Sequence, residues 1–133
     1  MILDTEFLGN LIEQKPAAKQ KAGELDATSA PTRVPAMVTW ELYYGVSKAP
    51  EPKRHTLKDG YEKLLQSFPV VEMDAKLARK AGTLRGRHAR SDSLTNLDGA
   101  DSMVAATALS VDEPVVSNDE DFADVDGLPV ETY

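Results

Sequence analysis

The residues able to do chemistry in this chain are carboxylates. There is no cysteine and there are two histidines, so thiolate metal sites, disulfide frameworks and thiol catalysis are excluded. His55 and His88 have no ligand spacing to each other or to an acid, and both are read as surface residues. Four acids instead end short apolar runs or open helical ones. Asp4 follows Met1-Ile2-Leu3, Glu41 follows Val38-Thr39-Trp40, and Asp101 stands at the start of a small-residue helix. Asp119 lies two residues past Ser117, with Asp121 as the alternative in that place. Acids gathered without a base repel one another unless cations compensate. Hard oxygen donors lacking thiolate or imidazole select Mg²⁺ or Mn²⁺ over zinc or copper. A divalent pair held by carboxylates activates water and stabilises both the attacking and the leaving oxygen in phosphodiester cleavage.

For these acids to meet, the elements must carry them to one edge. Strands are predicted at 1–4, 34–39, 68–73, 114–117 and 128–132, and helices at 5–13, 40–46, 55–67, 75–90 and 99–110. The stretch 17–27 is rich in helix formers. This alternation implies an α/β domain over 1–133, with a five-stranded, mainly parallel sheet flanked by helices on both faces. Ligands of open α/β sheets gather beyond the carboxyl ends of the strands. Asp4 ends the first strand, and Glu41 falls in the first turn of the helix after the second, with Thr39 as its N-cap. Asp101 opens the helix before the fourth strand, which runs into Asn118-Asp119-Glu120-Asp121. Each acid alone has a plainer role. Asp4 suits an N-cap, Glu41 and Asp101 suit a helix N-terminus with Asp98 the better cap, and Asp119 and Asp121 belong to an acidic run. Their coincidence at one sheet edge is the signal.

Composition bounds the rest. The chain has 133 residues, 41% of them hydrophobic, with 15 Lys+Arg against 22 Asp+Glu and a net charge of -7. A single domain of this size has a real core, burying roughly 65–70% of its unfolded surface. No apolar run approaches the ~18–20 residues of a membrane span, and the N-terminus has no basic region of the signal-peptide kind. A soluble, cytoplasmic protein without a membrane role is expected. The acidic balance argues against a broad nucleic-acid face but allows a local one. The segment 75–91 holds Lys76, Arg79, Lys80, Arg85, Arg87 and Arg90 and no acid. It reads either as a solvated basic face or as a ridge tracking phosphates. Arg85, Arg87 and Arg90 have the stronger claim to a nucleic-acid backbone, because the loop after them leads to Asp101. Trp40, Tyr43 and Tyr44 flank Glu41; aromatics there can stack bases, but beside a sheet they are expected in the core.

These residues resemble PIN-domain ribonucleases, specifically the VapC-type toxins of VapBC toxin–antitoxin modules. The matching blocks are Met1-Ile2-Leu3-Asp4-Thr5, Thr39-Trp40-Glu41-Leu42-Tyr43-Tyr44-Gly45-Val46, Ala81-Gly82-Thr83-Leu84 and Ala100 to Leu109. Pro114 to Phe122 follows, and Gly127 to Val130 closes the series. They run in order across essentially the whole chain. The resemblance implies a site of Asp4, Glu41 and Asp101 with a fourth acid, Asp119 or in its place Asp121. Thr5, Ser117 and Asn118 would support it, Ser117 keeping the hydroxyl of a position where the family commonly has Thr. Glu6 departs from the small polar residue usual there. The resemblance further implies a Mg²⁺- or Mn²⁺-dependent endoribonuclease acting on RNA of the tRNA or rRNA class. A cognate VapB-like antitoxin and a homodimer are implied with it. Other readings are a housekeeping RNA-processing nuclease of the same fold, or a catalytically silent partner-binding module. A receiver-like phosphoacceptor lacks its Lys near the last strand, and a haloacid-dehalogenase-type phosphatase would need Asp where Glu6 stands.

Overall fold

The computed structural model describes residues 1–133. All strand pairing is parallel. β1 (Ile2–Leu3) pairs with β4 (Val115–Val116), which pairs with β5 (Val130–Glu131), while β2 (Val34–Pro35) pairs with β3 (Val70–Val71). A parallel bridge between Ile2 and Arg33 fastens the two groups. Across it Leu3 N donates to Arg33 O at 3.0 Å and Arg33 N to Met1 O at 2.9 Å. The five expected strands are therefore present in the order β3-β2-β1-β4-β5. They form a three-stranded and a two-stranded sheet, and each strand is shorter than its apolar run suggests.

β2 departs most from expectation. Pairing stops at Pro35, which has no N–H for a ladder, and α3 (Ala36–Lys48) starts at the next residue with Pro35 as its N-cap. Thr39 is thus inside the helix, where it caps nothing, and Glu41 lies in the second turn. The β-branched Val34 and Val38 imitate a strand across this junction. The buried stripe of α3 is Val38, Leu42 and Val46. Trp40, Tyr43 and Tyr44 fall off that stripe and are exposed, contrary to the core placement expected for them.

The other helices are α1 (Thr5–Ile12), α2 (Pro16–Asp26), α4 (Lys53–Leu65), α5 (Ala75–Ala89) and α6 (Gly99–Val111). Pro16 opens α2 at N1, where its missing N–H costs nothing. α6 is buried almost all round, through Ser102 and Val104 to Ala108. Its small side chains let it lie against β1, β2 and β4, with α5 packed on its other side. α5 is capped by Asp74, whose carboxylate accepts from Leu77 N at 2.7 Å. It buries Leu77, Ala81, Leu84 and His88. His88 is therefore not a surface residue; it continues the apolar spacing, and Nδ1 lies 2.9 Å from Thr95 O. No helix is long and apolar enough to cross a membrane.

Candidate metal centre

The strand ends and the N-terminus of α6 converge on a cleft of about 340 Å³. Seven of its nine lining residues are acids and none is a cation. Asp4 leaves β1 and caps α1, Oδ1 accepting from Phe7 N at 2.7 Å. One buried side chain thus both caps α1 and lines the cleft. The Ser117 hydroxyl at the end of β4 favours the charged form of Asp4 at the end of β1 and accepts from Asp119 N at 2.9 Å. Glu41 is held by Thr5, whose Oγ1 donates to Oε1 at 2.6 Å. Asp98 caps α6 by accepting from Asp101 N at 2.8 Å. Asp119 likewise caps the short 3-10 turn Glu120–Phe122, accepting from Asp121 N at 2.9 Å. Carboxylate oxygens of Asp101, Asp119 and Asp121 lie within 4.8 Å of one another.

Crowding changes how these groups titrate. Burial pushes Asp101 up to about 7, and Asp98, Asp119, Glu41 and Asp121 add repulsion. Burial likewise raises Asp4 to about 6; Ser117 and the Phe7 N–H oppose the rise, while Glu6 and Asp119 reinforce it. Glu41 is raised by burial, against the Thr5 hydrogen bond, with a further push from Asp98. Asp121 is raised by desolvation and then by Asp119, Asp98 and Glu120. Four acids holding protons above their ordinary range, with no Lys or Arg to relieve them, make a site suited to cations. The donors are all oxygen, which fits Mg²⁺ or Mn²⁺.

The cleft thus gathers Asp4, Thr5, Glu41, Asp101, Asp119 and Asp121. Both candidates for the fourth acid are present together. Asn118 is not brought in: its side chain pairs with the Tyr133 backbone through two hydrogen bonds of 2.8 Å. Glu6 and Asp98 also line the cleft. The sequence suggests only a cap role for Asp98; its position one turn before Asp101 is the signal for its place in the cleft. The basic ridge divides. The Arg85 guanidinium lies beside Gly99 at the start of α6, 3.1 Å from where a Cβ would sit. Arg87 lines a separate groove with Arg79, Lys80 and Asp126, and Arg90 ends α5 exposed to solvent.

The PIN domain family model matches residues 1–128, and the chain belongs to this family. Among solved structures it is similar to VapBC2 from Rickettsia felis bound to a promoter DNA fragment, at 22% identity and a TM-score of 0.84, covering 99% of this chain and 97% of that one. It is also similar to DNA-bound VapBC from Salmonella typhimurium, at 26% identity and a TM-score of 0.81, over 98% and 96% of the two chains. VapBC-1 from nontypeable Haemophilus influenzae aligns at 16% identity and a TM-score of 0.79, over 98% and 96%. No curated protein matches the chain.

Proposed function

We propose that this PIN-domain protein is a VapC-type toxin, a Mg²⁺- or Mn²⁺-dependent endoribonuclease silenced by a VapB-like antitoxin. The observation that carries the reading is the cleft itself, in which acids from four separate segments meet without a single cation. The similarity to VapBC structures supports the toxin class and the antitoxin partner. A homodimer acting in the cytoplasm on tRNA or rRNA completes the proposal.

Asp101, Asp119 and Asp121 would hold a cation, with Asp4 and Glu41 at the same cleft. When bound, the ion neutralises the carboxylates, activates water and offsets charge on the scissile phosphate. The chain's own residues prepare for that. Thr5 fixes the Glu41 carboxylate, and Ser117 holds the Asp119 backbone by accepting from its N–H. Asp101, raised to about 7, keeps about half of its proton at neutral pH, and a cation would displace it, whereas Asp4, raised to about 6, is mostly ionised there. The test is cleavage of folded tRNA and rRNA fragments by wild type and Asp4→Asn, purified identically, with Mn²⁺, Mg²⁺ or EDTA. Discrete cuts lost with EDTA and with the substitution are expected. Equal cleavage by the variant would place the activity elsewhere.

A further inference from the structure

Helix α3 carries Glu41 into the cleft and displays a pair of aromatics on the adjoining strip of its surface. Trp40 is 59% exposed and Tyr44 57%. Their rings are parallel to within 5°, with centroids 5.6 Å apart. Lys48 Nζ stands 4.9 Å from the Tyr44 ring centroid. At about 100° per residue, Trp40, Tyr44 and Lys48 climb one strip of the helix. Tyr44 is three residues from Glu41, a neighbour at about 5–6 Å between Cβ atoms. The helix packs through Val38, Leu42 and Val46 on its other side. The aromatic strip therefore runs beside Glu41, a residue of the cleft lining, and serves no core.

We infer that this strip is a stacking platform that holds an unpaired stretch of RNA at the mouth of the acid cleft, an inference that rests on the nuclease reading above. The acids repel phosphates, so affinity for RNA must come from groups around them. Stacking on aromatic faces is indifferent to phosphate charge and tolerant of sequence. Flat side chains already held parallel lose little freedom on binding. Lys48, at the far end of the strip from Trp40, supplies a positive charge for the backbone. A duplex hides its base faces, so the occupant is a loop, a bulge or a single strand. The cation and the continuity with the cleft favour RNA over an apolar protein partner.

Trp40 is the chain's only tryptophan, so its emission reports the strip directly. The experiment titrates a short labelled oligoadenylate, and an abasic strand of equal charge, into Asp4→Asn protein to prevent cutting. Label anisotropy reads binding and Trp40 emission reads stacking. Oligoadenylate is expected to quench Trp40 saturably and the abasic strand not to. Adding Trp40→Ala or Tyr44→Ala should weaken oligoadenylate binding about tenfold, with Trp40→Phe recovering most of the loss. Binding without quenching, and at unchanged affinity in Trp40→Ala, overturns the platform but not the nuclease. No binding of either strand overturns the platform, and the cleavage assay then judges the nuclease separately. Trp40 emission that changes on dilution of protein alone, with a sedimenting dimer lost in Trp40→Ala, makes the strip a subunit contact and also overturns it.

Discussion

Asp4 and Asp101 release their protons near pH 4 when unfolded but near 6 and 7 in the fold. Between those values the folded chain binds more protons than the unfolded one. Metal-free stability must then fall as pH rises from about 4 to about 7, and level off above that. Asp101→Asn removes one member of the cluster. At pH 8 in EDTA it should raise stability by about 1–2 kcal/mol, discounted for the partial exposure of Asp101, and the gain should shrink at pH 5. Thermal melts of both proteins at the two pH values check this. A variant that melts lower than wild type at pH 8 would mean the acids are not crowded. The residue types were legible because an acid-only set excludes most other chemistries. Which of Asp119 and Asp121 joins was not legible, because a 3-10 turn capped by the first also turns the second into the cleft.

At the scale of elements, α1, α5 and α6 all begin with an Asp cap, and α5 and α6 should respond differently to its loss. Asp74 caps α5 outside the acid cleft, so Asp74→Ala is expected to cost about 1 kcal/mol whether or not metal is present. Asp98 caps α6 inside the cleft, so Asp98→Ala loses a cap but also relieves repulsion on Asp101 and Glu41. In EDTA it should cost clearly less than Asp74→Ala, and with saturating Mn²⁺ the difference should narrow. Urea unfolding of the two variants, with and without Mn²⁺, measures it. α3 offers a further case. Thr39 Oγ1 is buried without a hydrogen-bond partner, and Thr39→Val should stabilise by about 1 kcal/mol. An unchanged urea midpoint would mean the hydroxyl is satisfied in solution. This helix was the least legible element. Its first turn is written in strand-forming residues, and only Pro35 marks where pairing ends. The caps Asp74 and Asp98 were readable because each precedes a helical run and needs only its own first turn.

Over the whole molecule, a chain of net charge -7 that takes a polyanion as substrate would have to hold it through local cations. Arg85 lies beside the start of α6, whereas Arg87 lines a groove with Asp126. Arg85→Ala should weaken RNA binding and reduce its salt slope by about one. Arg87→Ala should do so less; equal effects across a salt series would mean that RNA spans both faces. Sequence order alone implied the parallel architecture, because helix-length connections separate every pair of strands. It did not reveal that the strands pair over two residues each and divide into two sheets joined through Arg33. Nor did it separate the cations of α5 by face, since this depends on how α5 turns against α6.

The most direct test of the carboxylate cleft as a metal site is calorimetric titration of Mn²⁺ into wild type and Asp101→Asn near pH 6.5. There Asp101 still holds much of its proton. Wild type is expected to bind with a heat that varies with the ionisation enthalpy of the buffer, because entering Mn²⁺ expels protons. Asp101→Asn should bind at least tenfold more weakly and lose most of that buffer dependence. Equal binding by the two proteins, or none by wild type, would contradict a metal centre in this cleft.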